Sequence, residues 1–177
     1  KPIGLTYGNF LWSAMGSAFN IGVDPADRWL CCMPLSHIAG LSIVIRSAIY
    51  GTTAVVHDGF DVERVAKSLA EDGITVVSLV TTMLSRLLDA GADLSAPRAI
   101  LVGGGPVPES ILAAAIDRGA TVVQTYGLTE TCSQVTTLAP EDALRKLGSA
   151  GRPLLSSHVR IRDGEILVQG PTVAPGR

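Results

Sequence analysis

Residues 124–131, with the sequence QTYGLTET, place an aromatic ring, hydroxyls and a carboxylate within a few positions. Tyr126 could stack on a base, and Thr129 could donate a hydrogen bond to a phosphate oxygen. Glu130 could hold Mg²⁺, a hard cation that takes carboxylate and phosphate oxygens. A polar loop with a solvated glutamate explains the same residues, so the segment alone leaves both interpretations open.

A second candidate is the run Gly103, Gly104 and Gly105, followed by Pro106. It lies between a predicted strand and a predicted helix, and ligands of open α/β sheets bind at the carboxyl ends of strands. Glycine also lets a backbone approach a ligand closely. The spacing matches neither GxGxxG nor GxxxxGK[ST], and a tight strand-to-helix turn is the alternative.

Two isolated side chains complete the candidates. His37 lies in an apolar loop, PLSHIAG, where a half-buried packing residue is the alternative to a functional one. Arg46 is the only charged residue between Arg28 and Asp58. Its planar guanidinium suits a carboxylate, whereas an arginine at a helix surface, with only its tip in water, is the alternative.

Composition limits the class of protein. The 177 residues are 47% hydrophobic and 17% charged, with a net charge of −2 and a mean hydropathy of +0.37. This excludes a disordered charged tail and argues against a nucleic-acid partner, which needs a basic excess. Asn9, Asn20 and Pro34 argue against a membrane span in the charge-free stretches. The three cysteines lack metal-ligand spacing, which favours buried thiols and a cytoplasmic location.

The elements that must position these residues alternate along the chain. Strands that are continuous apolar runs, separated by amphipathic helices, predict an α/β fold with a parallel sheet flanked by helices. Asp163-Gly164 predicts a β-hairpin with a type I′ turn. We expect an α/β portion over 1–140 and the start of a β-rich portion over 141–177. The predicted strands are 28–33, 52–56, 75–80, 98–102, 121–124, 158–162 and 165–169, and the predicted helices are 7–22, 40–50, 61–71, 82–90 and 108–118, with Asp61 as an N-cap.

Together these segments resemble the AMP-binding, adenylate-forming family, which includes acyl-CoA synthetases, adenylation domains and luciferases. The resemblance lies in five segments in family order, which are PLSH at 34–37, GGGP at 103–106, YGLTE at 126–130, GSAGRP at 148–153 and GEILVQG at 164–170. Within the family, the chain is most similar to the o-succinylbenzoate–CoA ligases of menaquinone synthesis. That similarity is carried by residues 6–9, by 37–43 with Arg46 and Ser47, and by 129–131 with Ser133 and Gln134.

The resemblance implies a two-step reaction. ATP activates a carboxylate to an acyl-adenylate, and coenzyme A then forms the thioester. The implied catalytic residues are Thr129, which contacts phosphate, Glu130, which binds Mg²⁺, and His37, which lines the acyl pocket with Ser133. The implied ATP- and AMP-binding residues are Gly103, Gly104, Gly105, Pro106, Tyr126, Gly127, Leu128 and Thr129. We add the prediction that Arg46 faces the second carboxylate of a dicarboxylate substrate.

Family members are longer than this chain, and Lys1 resembles the lysine at the end of their phosphate loop. We therefore expect a central part of the large N-terminal domain, without the rest of that loop and without the C-terminal domain. Such a part should be inactive alone and should expose apolar surface or self-associate. The alternatives are a fatty- or aryl-acid–CoA ligase, or a non-catalytic nucleotide-binding or structural fragment.

Overall fold

The computed structural model describes residues 2–176, so the loop lysine predicted at Lys1 lies outside the described residues. Helices and strands alternate through the first two thirds of the chain, as predicted. The helices are α1 (Tyr7–Ile21), α2 (Ile38–Tyr50), α3 (Val62–Glu71), α4 (Thr81–Asp89) and α5 (Glu109–Asp117). The strands are β1 (Arg28–Cys31), β2 (Thr53–Val56), β3 (Val76–Val80), β4 (Ala99–Gly103), β5 (Val122–Leu128), β6 (Ser133–Leu138), β7 (Arg152–Pro153), β8 (His158–Arg162) and β9 (Glu165–Gln169).

The main sheet has the order β2-β1-β3-β4-β5-β6-β7. Strands β1 to β5 are parallel, because a helix connects each of them to the next and returns the chain to the same end of the sheet. Successive side chains of a strand point to opposite faces, so Leu30 and Cys32 join one apolar core and Trp29, Cys31 and Met33 join the other. The predicted parallel sheet covered by helices on both faces is confirmed.

Capping residues place the helix starts. The hydroxyl of Thr6 accepts a 3.1 Å hydrogen bond from the amide of Asn9, while the Asn9 side chain accepts one from the Thr6 amide. This capping box fixes the start of α1. Asp61 caps α3 as predicted, since its carboxylate accepts a hydrogen bond from the amide of Arg64. Helix α2 begins at Ile38, earlier than expected, with His37 in the N-cap position.

The sheet departs from the sequence prediction after β4. Strand β5 continues to Leu128, beyond the predicted end at residue 124, and the chain then returns as the unpredicted antiparallel strand β6. Gly127 makes this return possible, since a Cβ there would lie 1.6 Å from the carbonyl oxygen of Ser133. The predicted β8–β9 hairpin is confirmed, with positive φ at Asp163 and Gly164.

Large apolar side chains are exposed along one side of α1. Tyr7 is 96% exposed and Phe19 72%, and Leu11 and Met15 lie between them at four-residue spacing. This spacing places the four side chains on one stripe of the helix. Exposed apolar surface, one of the two outcomes expected for part of a longer domain, is therefore present on α1. Among the described residues, no helix is long and apolar enough to cross a membrane.

Candidate functional site

Two neighbouring cavities open at the carboxyl ends of the parallel strands, the usual ligand position in such sheets. The larger, of about 520 Å³, lies between α2 and the ends of β3, β4 and β5. The smaller, of about 350 Å³, lies between the glycine run after β4, strand β5 and residues 148–150. Gly104, Thr125, Gly127 and Leu128 line both, so the end of β5 forms the wall between them.

The residues predicted from the sequence all line one or both of these cavities. The larger cavity is lined by His37, Arg46, Gly103, Gly104, Gly127, Leu128, Thr129, Glu130 and Ser133. The smaller cavity is lined by Gly104, Gly105, Pro106, Tyr126, Gly127 and Leu128. The fold therefore brings together segments that are up to about a hundred positions apart in the sequence. The ligand that each residue contacts stays a prediction.

Gly103, Gly104 and Gly105 form part of the lining of the two cavities. A Cβ at Gly103 would lie 2.7 Å from the hydroxyl oxygen of Thr125, so a larger residue there would require the Thr125 side chain to move. Gly104 has a φ of +81°, a conformation that L side chains rarely adopt. Close approach favours glycine at position 103, and backbone conformation favours it at position 104. Both constraints favour a specific local structure over a simple strand-to-helix turn.

The turn after β5 presents Thr129 and Glu130 at the rim. The hydroxyl of Thr131 accepts a 2.9 Å hydrogen bond from the Leu128 amide and lies 3.0 Å from the Leu128 carbonyl oxygen, which closes the turn. The carbonyl oxygen of Glu130 accepts a 2.7 Å hydrogen bond from the amide of Ala174, which anchors the turn from outside. The side chains of Thr129 and Glu130, predicted to bind phosphate and a cation, are both exposed. The hydrogen bonds of the turn hold the backbone that carries them.

Arg46 is buried in the wall of the larger cavity at 3% exposure. Its Nη2 donates a 2.9 Å hydrogen bond to Ser13, and its guanidinium carbon lies 5.8 Å from the centre of the Trp29 ring. Among the described residues no carboxylate pairs with it, and its Nε has no hydrogen-bond partner. Burial lowers the pKa of Arg46, and a buried charge without an anion is costly. A ligand carboxylate would supply the missing anion.

The sequence pattern gave no indication of a role for Ser13, although this residue contacts Arg46 directly. Its hydroxyl accepts from Arg46 and donates a 2.6 Å hydrogen bond to the carbonyl oxygen of Cys132. It thus links α1, α2 and the start of β6. A serine in the middle of an apolar helix is a weak signal, because nothing in the sequence shows which helix faces it.

His37 lies at the mouth of the larger cavity and is exposed. Its position is fixed by the backbone, since the first turn of α2 packs tightly on the preceding loop. A Cβ at Gly40 would lie 2.5 Å from the carbonyl oxygen of Pro34. The imidazole is therefore free to meet a ligand while its Cα is held by α2.

The larger cavity has one carboxylate, that of Glu130, in its lining, which suits a cation that binds together with a phosphate ligand. Among residues 2–176 no cluster of three or more His, Cys, Asp or Glu side chains could form a metal site alone. Glu130 supplies one exposed carboxylate beside the Thr129 hydroxyl. Mg²⁺ is commonly held by one or two carboxylates together with substrate phosphates and water. The donor set therefore fits Mg²⁺ bound with a nucleotide.

The cysteines are structural. Cys31, Cys32 and Cys132 are free and buried. Burial raises the pKa of Cys32 to about 12 and that of Cys132 to about 11. Since the thiolate is the reactive form, neither of these two thiols is a nucleophile near neutral pH.

The AMP-binding enzyme family matches residues 1–176, so the chain belongs to that family. The expected resemblance to this family is confirmed.

Individual relatives of the chain carry names that are more specific than the family name. A 2-succinylbenzoate–CoA ligase (o-succinylbenzoate is the same acid) of Bacillus pumilus is 46% identical over 99% of this chain. The corresponding ligase of Bacillus subtilis is 46% identical over 98% of it. A solved structure of O-succinylbenzoate coenzyme A synthetase from Bacillus subtilis, in complex with ATP and magnesium ion, matches with a TM-score of 0.93, 44% identity and 98% coverage. The chain spans 38–39% of the length of these three proteins.

Proposed function

We propose that the chain is the acyl- and nucleotide-binding part of an acid–CoA ligase whose acid is 2-succinylbenzoate, a substrate of menaquinone biosynthesis. The observation that carries the proposal is the buried guanidinium of Arg46, which lacks an anion among the described residues and lines the same cavity as Thr129 and Glu130. One end of this cavity meets the reacting carboxylate and the phosphates. The other end offers a cation to a second carboxylate.

The larger cavity favours a dicarboxylate over the alternative acids. A fatty acid or a simple aryl acid would leave Arg46 buried against an apolar group, which is unfavourable for a charge. A second carboxylate removes that cost and makes a charge-assisted hydrogen bond. The same residue thus attracts one substrate class and rejects the others.

The smaller cavity is assigned to the adenine and the sugar. The glycine run lets the backbone approach a flat base, and Tyr126 supplies an aromatic face for stacking. The shared wall at Gly127 and Leu128 supports a position for the α-phosphate of ATP between the two cavities. This arrangement brings the acid and the phosphate together, so that positioning supplies much of the rate enhancement.

The chemistry follows the two steps of the family. A carboxylate oxygen of the acid attacks the α-phosphorus of ATP, and the bond to pyrophosphate breaks. The sulfur of coenzyme A then attacks the acyl carbon, the bond to AMP breaks, and the thiol proton is lost to solvent. Thr129 would donate a hydrogen bond to a phosphate oxygen, and Glu130 would hold the Mg²⁺ that accompanies ATP, which would neutralise phosphate charge. The relative solved with ATP and magnesium ion supports this set of ligands.

The test uses a full-length chimaera in which residues 1–177 replace the homologous stretch of the Bacillus subtilis ligase. Acid-dependent pyrophosphate release is measured with 2-succinylbenzoate, benzoate and a fatty acid. We expect kcat/KM to be highest for 2-succinylbenzoate. A preference for benzoate or the fatty acid would contradict the proposed substrate. The 177-residue chain alone should release no pyrophosphate, and release would contradict the proposal that it is only part of the enzyme.

The proposal extends to association and location. The exposed stripe of Tyr7, Leu11, Met15 and Phe19 gives the separate chain an apolar face, and large apolar faces associate in water. Sedimentation of the chain should show self-association, and a Tyr7→Ser, Phe19→Ser variant should reduce it. The three free, buried cysteines suit a reducing cytoplasm.

A further inference from the structure

The side-chain amide of Asn9 links α1 to residues 170–174, the segment that follows β9. Its Nδ2 donates a 2.8 Å hydrogen bond to the carbonyl oxygen of Pro171 and a 3.0 Å hydrogen bond to that of Val173. Its Oδ1 accepts a 2.8 Å hydrogen bond from the amide of Thr6. Asn9 is 5% exposed, and an amide carries two N–H donors and one acceptor oxygen. Both ends of this buried amide are therefore paired, one with the helix cap and the other with the distant segment.

Residues 170–174 pass this contact on to the turn after β5. The amide of Ala174 donates a 2.7 Å hydrogen bond to the carbonyl oxygen of Glu130, and the amide of Val173 donates a 3.1 Å hydrogen bond to the carbonyl oxygen of Gly170. A Cβ at Gly170 would lie 2.2 Å from the carbonyl oxygen of Ser156, so the segment also begins in tight contact with the chain. The segment thus connects α1 to the backbone of Glu130.

Helix α1 holds the same turn from a second side. Ser13 lies four positions after Asn9, on the same stripe of the helix, and its hydroxyl donates a 2.6 Å hydrogen bond to the carbonyl oxygen of Cys132. The turn is therefore held at Cys132 directly and at Glu130 through residues 170–174. The Glu130 side chain is exposed and lines the larger cavity. Its place in that cavity depends on how firmly its backbone is held.

We propose that Asn9 is a positioning residue for Glu130, which it holds through residues 170–174 at the place where the carboxylate meets the Mg²⁺ of ATP. The inference rests on the proposed function, since it needs Glu130 to hold that cation. Asn9 lines neither cavity, so it acts only through the backbone. Loss of a group that supports a metal ligand from behind typically weakens metal binding by roughly 10- to 100-fold.

The test measures acid-dependent pyrophosphate release by the full-length chimaera, with Mg²⁺ in constant excess over ATP. Asn9→Asp keeps the size of the side chain and the oxygen that accepts from Thr6, but it has no N–H group to donate. We expect KM for magnesium–ATP to rise on the order of tenfold. KM for 2-succinylbenzoate and the inhibition constant of AMP should not change, because neither ligand needs the cation. A loss of folded protein alone would lower kcat and leave all three constants unchanged.

A second variant breaks the same connection at its other end. Ala174→Pro removes the amide hydrogen that bonds to Glu130, so KM for magnesium–ATP should rise by a similar factor. Since both variants interrupt one path, the double variant should show little more than the larger single effect. Effects that multiply would mean that the two sites act independently and would overturn the connection.

Two further variants serve as controls. Asp61→Ala removes the cap of α3, a helix that lines neither cavity, and should lower stability in urea without changing KM for magnesium–ATP. Glu130→Gln should raise this KM at least as much as Asn9→Asp does. No rise with Glu130→Gln would contradict the proposed function. A rise with Glu130→Gln but not with Asn9→Asp, or an equal rise with Asp61→Ala, would overturn the role of Asn9 alone.

Discussion

Arg46 and Ser13 lie on different helices, and the Nη2 of Arg46 donates a 2.9 Å hydrogen bond to the Oγ of Ser13. Ser13 in turn donates to the carbonyl oxygen of Cys132, at the residue before β6. The guanidinium is therefore oriented by a neutral group that is itself fixed to the sheet. Neutral support leaves the charge of Arg46 available to a ligand, whereas a protein carboxylate in the same place would neutralise it.

Replacement of Ser13 by alanine should loosen Arg46 without removing it. We expect KM for 2-succinylbenzoate in the full-length chimaera to rise on the order of tenfold, since a hydrogen bond to a charged group is lost. The value of kcat should change little, because Ser13 touches no reacting atom. The measurement is steady-state kinetics at saturating ATP and coenzyme A.

Ser17 provides the control for this substitution. It is buried one turn further along α1 and lines neither cavity, so Ser17→Ala should leave KM for the acid unchanged. An equal rise in KM for both variants would indicate a general effect on α1 and would argue against the positioning role of Ser13.

Gly127→Ala should disturb the fold and both cavities together. The new Cβ would lie 1.6 Å from the Ser133 carbonyl oxygen, so β6 must move. We expect the free energy of unfolding in urea to fall by about 1–3 kcal/mol and kcat/KM for 2-succinylbenzoate in the full-length chimaera to fall as well. Gly59→Ala is the control, since its Cβ would meet nothing within 4 Å. If both variants are equally stable, the close approach at Gly127 is not a constraint.

The ion pair of Asp27 and Arg98 predicts a pH-dependent contribution to stability. Burial alone would raise the pKa of Asp27, but hydrogen bonds from Arg98, from the Asp24 amide and from Thr75 lower it to about 2. A depressed carboxylate pKa stabilises the fold above the ordinary value of 3.8, and this contribution is lost as the pH falls from about 4 through about 2. The interaction joins the residue before β1 to the residue before β4.

Asp27→Asn should therefore lower the free energy of unfolding at pH 7 by about 1.5–3 kcal/mol, and the difference from the unmodified chain should shrink towards pH 2. Urea denaturation at several pH values measures this. Asp58→Asn removes an exposed pair with Arg64 and should cost less than about 1 kcal/mol. A pH-independent effect of Asp27→Asn would mean that the carboxylate charge is not the cause.

The sequence predicts the parallel sheet well because its strands are apolar on both faces and its helices are marked by caps such as Asp61. Strand β6 is different: its polar residues, such as Thr136 and Thr137, carry no apolar alternation, and the strand exists because Gly127 allows close antiparallel pairing. The motif residues could be placed at the sheet edge from strand order alone. Ser13 could not, since its contact with Arg46 depends on the packing of α1 against α2.

The most direct test of the account is the role of Arg46 in reading a second carboxylate. In the full-length chimaera, Arg46→Met should lower kcat/KM for 2-succinylbenzoate on the order of a hundredfold, mainly through KM, because a buried charge pair is lost. Activity with benzoate should not fall. Arg46→Lys should restore part of the loss, since it keeps the charge but not the planar guanidinium. An unchanged KM for 2-succinylbenzoate, or an equal loss with both acids, would contradict the account.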